Sequence, residues 1–212
     1  MMALRWLWVG FVLWSAGLSL SAQDQAEKTE YRKVARSRAE KIIDKVEGLG
    51  VAQRSEVTEW IADFYCQLHD LQSATESEKT TKKDIPSKGA DTMDSEHAQR
   101  QLHFAFVSKL ETSLSHSQVE SIKDGITYHV MPRTLQAYKE LYPQLDEEQT
   151  KKIHAWLWEA REWAMDAGSS DAKHAMFGKY KGKINNYLSE QGFNAKEAER
   201  ALKERQAQAS QK

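Results

Sequence analysis

The sequence is poor in the features that most readily announce a function. Its one cysteine, Cys66, excludes an intramolecular disulfide framework and a cysteine-rich zinc site. Thirty basic residues stand against 31 acidic ones, so the large basic excess of a nucleic-acid binder is missing. No run of alternating β-branched residues occurs, and nothing reads as a strand. There is no glycine-rich phosphate loop, no G-x-S-x-G elbow and no H-E-x-x-H or H-x-x-x-H pair. The seven histidines are scattered, and no metal or cofactor is expected.

Tryptophan is in excess, at seven residues. Three of them (Trp6, Trp8, Trp14) lie in an N-terminal stretch with the plan of a secretory signal peptide. Met1–Arg5 is a short positive segment, Trp6–Leu20 is apolar and uncharged, and Ser21-Ala22 offers a cleavage site after Ala22. The 15 apolar residues fall short of the ~20 needed to span a bilayer. No cysteine follows for a lipid anchor. Residues 1–22 are therefore expected to be a cleaved leader, the protein to be periplasmic or secreted, and the mature chain to be free of the membrane. Cys66, between Trp60, Phe64 and Leu68, reads as a small buried hydrophobe.

The rest reads as helices. Val34, Ile42, Ile43 and Val46 mark one at about 24–47, ended by Gly48 and Gly50. Val57, Trp60, Ile61, Phe64 and Leu68 mark the next. A third carries Ala98, Leu102, Ala105, Phe106 and Leu110. Ser115-x-x-Gln118 and Asp146-x-x-Gln149 are capping boxes, each behind a leucine, and Asn194 repeats the device before a charged last helix. These starts also resemble the Leu-Thr-x-x-Gln repeats of small periplasmic stress chaperones, although capping alone accounts for them. Residues 73–96, polar and broken by Pro86 and Gly89, read as a linker. The expectation is one all-α domain over 24–205, a bundle of about seven helices.

One segment departs from simple bundle logic. In the helix from Glu147 to Ala167, a core stripe runs through Ile153, Trp156, Leu157, Ala160, Trp163 and Ala164. Trp158 and Met165 fall on nearly the opposite side, beside His154 and Arg161. Such a helix is either sandwiched or presents a second face to a ligand. Glu159, Glu162 and Asp166 read as a solvated or ion-paired face. Gly168 breaks the helix, and Ser169 or Ser170 caps the next one. That helix bears Phe177, Tyr180, Ile184 and Leu188 on its core stripe, with Gly178 and Gly182 in its interior. Each interior glycine costs roughly 1 kcal/mol against alanine. Close approach of another helix would explain them, as would a ligand among His174, Lys181 and Asn185.

Several motifs of the second half of the chain belong together. They are Lys123-Asp124-Gly125-Ile126-Thr127-Tyr128, Pro132, Tyr138, Pro143, Glu159-Ala160-Arg161-Glu162, Ala164-Met165-Asp166 and Gly168-Ser169-Ser170. The most specific are Lys173-His174 and the run from Phe177 to Leu188, FGKYKGKINNYL. This pattern resembles the family known as domain of unknown function 3826, exported helical proteins of Gram-negative bacteria, over about residues 30–193. Lys183 stands where the family has Arg and keeps the charge. The resemblance implies a sugar-binding protein that accompanies polysaccharide-degrading systems, and it carries over no catalytic residue.

A sugar stacks its C–H faces on aromatic rings and needs planar polar partners for its hydroxyls. On that chemistry the candidate ligand-binding residues are Trp158, Arg161, His174, Lys181, Asn185 and Asn186, with Tyr128 at the margin. The reading is a non-catalytic partner of an oligosaccharide or glycan fragment, an acidic one included. Two others stay open. One is a glycan hydrolase or lyase using His174 with a carboxylate such as Asp166. The other is a chaperone-like or scaffolding protein. The oligomeric state is not legible.

Overall fold

A computed structural model describes residues 12–81 and 90–210, with side chains placed over 24–77 and 93–210. Eight helices and no strand are present among the described residues. They are α1 (Val12–Ile43), α2 (Val51–Thr81), α3 (Ala90–Ser113), α4 (His116–Ile126), α5 (Val130–Leu141), α6 (Glu147–Met165), α7 (Ser170–Glu190) and α8 (Ala195–Ala209). None of them is long and apolar enough to cross a membrane. The segment 1–11, the first half of the expected leader, lies outside the described residues.

The caps fall where the sequence places them. Ser115 and Gln118 bond each other's backbone N–H, at 3.4 and 2.9 Å, and so open α4. Asp146 and Gln149 do the same for α6, at 2.7 and 3.1 Å. Ser169 accepts from the Ala172 N–H and opens α7, while Asn194 opens α8. At the end of α1, Arg54 donates to the carbonyls of Ile43 and Val46, and Gly48 turns the chain at φ +74. These contacts satisfy backbone groups that a helix end leaves orphaned.

Two apolar cores result. The first gathers Ala35, Ala39, Ile42 and Ile43 of α1, Val57, Ile61, Phe64 and Leu68 of α2, Phe106 and Leu110 of α3, and Val119, Ile122 and Ile126 of α4. The second gathers Val130, Met131 and Tyr138 of α5, Ile153, Leu157, Ala160 and Ala164 of α6, and Phe177, Tyr180, Ile184 and Leu188 of α7. Met165 of α6 packs into the first core, so α6 is sandwiched between both halves. That explains Met165 on the second face of α6, whereas Trp158 on that face is exposed.

Several expectations need correction. The eighth helix is α5: the chain after α4 does not run on, because Tyr128 and His129 adopt left-handed φ values of +58 and +54 and restart it. Pro132 fits there, within the first turn, where its missing N–H costs no helical bond. Val34 is exposed and Ala35 and Ala39 take its place in the core, since small side chains let α2 come close. Trp163 is not core but 43% exposed, with the Arg100 guanidinium 3.6 Å from its ring centroid. Ala105 faces solvent, and His103 occupies the interior instead. The polar stretch 73–96 is helical at both ends, up to Thr81 and from Ala90, and 82–89 lies outside the described residues. Cys66 packs half-buried on the first core, and burial pushes its thiol pKa up, as suits an inert cysteine.

Gly125 and Gly178 predict opposite outcomes from the same substitution. A Cβ on Gly125 would sit 2.6 Å from Cγ2 of Ile42, a branched atom with no room to swing away. Gly125→Ala is expected to destabilise the protein by about 1–3 kcal/mol through overpacking of α4 on α1. At Gly178 nothing lies within 4 Å, so Gly178→Ala is expected to stabilise by up to ~1 kcal/mol. Urea unfolding of the two variants beside the wild type reads both signs.

Candidate functional site

Charge inside the bundle is organised around α6. Arg161 is completely buried and gives its Nη1 to Asp124 at 2.8 Å and its Nη2 to Glu120 at 2.7 Å. One residue on, Glu162 accepts from Lys123 Nζ at 3.1 Å and lies 3.3 Å from Nε2 of His103. His103 Nδ1 meets Asp166 at 2.8 Å, and Asp166 also takes Arg100 at 2.8 Å. Both ring nitrogens of His103 thus face carboxylates, which only the imidazolium satisfies with a proton on each. Arg100, His103, Lys123 and Arg161 balance Glu120, Asp124, Glu162 and Asp166.

Titration follows that arrangement. Burial works against the charged form of His103, yet its bonds to Asp166 and Glu162 hold its pKa above the ordinary value. Burial likewise opposes ionisation of Glu162, but His103, Lys123 and Arg161 hold it down at about 2. These groups are spent on each other, and the cluster serves as a clasp between α3, α4 and α6.

The open chemistry lies elsewhere. A cleft of about 730 Å³ runs between the α1–α2 pair on one side and the α4–α5 and α6–α7 turns on the other. That volume is typical of a small-ligand site. Ile42, Leu68 and Ala167 contribute an apolar floor, and Tyr31, Tyr65, Tyr128 and His69 supply rings. Tyr31 and His69 are themselves stacked, centroids 4.0 Å apart. Arg38, Lys41, Lys45, Arg133 and Lys173 supply positive charge, and among the described residues no Asp or Glu lines the cleft.

Local sequence explains how each part arrives there. Tyr31, Arg38 and Ile42 recur at seven and four residues along α1, with Lys41 on the shoulder of the same face and Lys45 three residues on in the turn after the helix. Tyr65, Leu68, His69 and Gln72 do the same on α2. The strained turn at Tyr128 and His129 presents the Tyr128 ring, which stacks on His174 at a centroid distance of 5.6 Å. Such left-handed residues cost of order 1–3 kcal/mol each and persist only when clamped. Here Arg133 donates to the carbonyls of both. Lys173 Nζ donates to the last carbonyls of α6, Ala164 and Met165, at 3.0 and 3.1 Å. Its burial pulls its pKa down to about 8.

Of the candidate ligand-binding residues named from the sequence, Tyr128 alone lines this cleft, stacked on His174, while Gly125, Gly168, Ser169, Ser170 and Lys173 of the family motifs line it too. Arg161 belongs to the buried clasp and has no free surface. Trp158 is 43% exposed on α6 with Lys123 Nζ 5.8 Å from its ring, away from the cleft. Asn185 accepts from the Tyr138 hydroxyl at 2.7 Å, the Lys181 carbonyl is 3.4 Å from that same hydroxyl, and Asn186 is exposed. These three sit farther along α7. Gly178 and Gly182 meet nothing within 4 Å, so no helix packs on them. Asp166 is taken by His103 and Arg100 rather than paired with His174. Among the described residues no cluster of His, Cys, Asp or Glu is arranged to hold a metal.

The cleft cations were not legible as a site in advance. One signal was present: Arg38, Lys41 and Lys45 place like charges three and four residues apart, an arrangement that weakens a helix slightly.

Stability should depend on pH with a definite sign. The contribution of Glu162 is complete above its ordinary pKa of 4.5 and is lost as pH falls toward 2. That of His103 is complete below 6.5 and is lost as pH rises through its elevated value. Lys173 acts oppositely, but only from about 8 upward. The urea midpoint is therefore expected to be highest between about pH 4.5 and 6.5 and to decline from 6.5 to 8. His103→Gln should remove the decline; an equal slope in both proteins would show that His103 is not held charged.

No curated protein matches the chain. Residues 32–208 match the family described as Protein of unknown function (DUF3826). The match takes in every residue that lines the cleft except Tyr31, and the chain belongs to this DUF3826 family.

Proposed function

We propose that the protein is an exported, non-catalytic carbohydrate-binding protein acting in polysaccharide utilisation, and that a glycan fragment occupies the cleft between α1–α2 and the α6–α7 turn. The observation that carries this reading is the composition of the cleft. The rings of Tyr128 and of the Tyr31–His69 stack border the cleft, with Tyr65 buried in its wall, and suit the C–H side of a pyranose, while Arg38, Lys41, Lys45 and Arg133 offer donors for its oxygens. The site of choice is thus the cleft rather than the Trp158 face of α6.

The absence of lining carboxylates favours binding over hydrolysis. Glycoside hydrolysis in its common form uses two carboxyl groups that flank the scissile bond. Among the described residues none lines the cleft, and His174 has an aromatic neighbour in place of an acidic one. Export rests on the leader plan of residues 1–22.

Two measurements test the proposal. Calorimetric titration across a broad oligosaccharide panel should find a ligand whose affinity falls about tenfold in Tyr128→Ala, the loss of roughly 1.4 kcal/mol of stacking and burial. Trp158→Ala should leave that affinity unchanged. A panel that yields neither heat nor a rise in Tm would remove the carbohydrate reading. Mass spectrometry of the protein recovered from its native compartment should find Gln23 at the N-terminus, and an intact Met1 would remove the export reading.

A further inference from the structure

The basic residues of α1 divide by face. Arg32 is bonded to Glu59 and Asp63, Lys33 to Glu30, and Arg36 to Glu40 and Glu59. Their neighbours on the cleft face behave differently. Arg38, Lys41 and Lys45 have no carboxylate partner among the described residues, although acidic residues outnumber basic ones in the whole chain. Across the cleft, Arg133 bonds the carbonyls of His129 and Tyr128, and Lys173 bonds those of Ala164 and Met165. Five cations therefore border one cavity that no carboxylate lines among the described residues, with Asp166 near enough to act on Lys173. They stand beside an apolar floor, where charge of one sign focuses the field into the opening.

We infer that the cleft selects an anionic glycan, a fragment bearing carboxylate or sulfate groups, and that Arg38, Lys41, Lys45 and Arg133 supply the counter-charges. This inference rests on the reading of the cleft as a glycan site and adds the substrate class. The row from Arg38 to Lys45, along the end of α1 and into the turn that follows, extends roughly 10 Å, so it matches acidic groups on successive sugar units better than a single small anion. Lys173, buried against the α6 carbonyls, contributes field rather than contact. The tyrosines hold the sugar ring and the α1 cations hold its substituents.

The purified protein, titrated at low and high salt, decides this. The probes are uronate oligomers, the same oligomers fully methyl-esterified, sulfated oligosaccharides and inorganic sulfate. An anionic oligomer should bind at least about tenfold more tightly than its neutral counterpart. High salt should weaken it by a similar factor, and whichever of the uronate and sulfated arms responds identifies the acid group. The double variant Lys41→Gln/Lys45→Gln should abolish the advantage without lowering Tm, since neither lysine holds an ion pair among the described residues and their removal relieves like-charge repulsion. Lys33→Gln, on the paired face, should leave binding intact. Equal affinity for esterified and free oligomers would overturn the anionic inference and leave the glycan reading standing. Inorganic sulfate binding as tightly as every oligomer would overturn the glycan reading instead, and silence from all probes would overturn both.

Discussion

A guanidinium fully removed from water has to be answered by carboxylates, and in this protein that requirement falls on Arg161. Its side chain crosses from α6 to Glu120 and Asp124 of α4. The same turn of α6 sends Glu162 and Asp166 to Lys123, His103 and Arg100. Breaking such a buried set by removing one member strands the others, at a typical cost of 3–5 kcal/mol. Apolar packing is nondirectional and would tolerate sliding of α6 between the two cores. The ion pairs do not, because each fixes a distance and an angle. The register of α3, α4 and α6 follows from that.

The cleft inherits this register. Asp166 ends α6, and its carbonyl accepts from Gln72 of α2 at 3.1 Å, so the clasp anchors the α6–α7 turn against the cleft's far wall. Gly125, at the end of α4, lets Ile42 of α1 approach to a distance no side chain would allow. Between these two contacts the chain makes its left-handed turn at Tyr128 and His129. The strain there is offset by Arg133 and by the stack of Tyr128 on His174. An interior of balanced charge thus supports an opening of unbalanced charge. Near-zero net charge in the sequence conceals this separation completely.

Much of the fold was legible because it depends on local physics. A capping box is four consecutive residues satisfying their own backbone, so Ser115–Gln118 and Asp146–Gln149 announce α4 and α6 without tertiary help. The core stripes of α2 and α7 follow from helical period alone. The break before α5 was hidden, because left-handed φ at Tyr128 and His129 has no sequence signature of the kind a glycine provides. Arg161 was misjudged for a related reason. Its position opposite the main stripe of α6 reads as solvent exposure until α4 is laid over it. Trp163 failed in the other direction, lying on the apolar stripe but capped by Arg100 instead of by core.

By itself the sequence determined the all-α class, the capped starts of α4, α6, α7 and α8, most of the two apolar cores and the family, since these rest on periods and motifs within a few residues. Only the tertiary structure decided which charges neutralise one another and which are left over. Arg36 and Arg38 differ by two positions on one helix, yet one faces Glu40 and Glu59 and the other an open cleft. A charge's partner is a matter of distance in space, across helices far apart in the chain. The candidate site, built from α1, α2 and the α4–α5 and α6–α7 turns, is therefore spread over distant parts of the chain, and the row of like charges at Arg38, Lys41 and Lys45 is the one local sign of it.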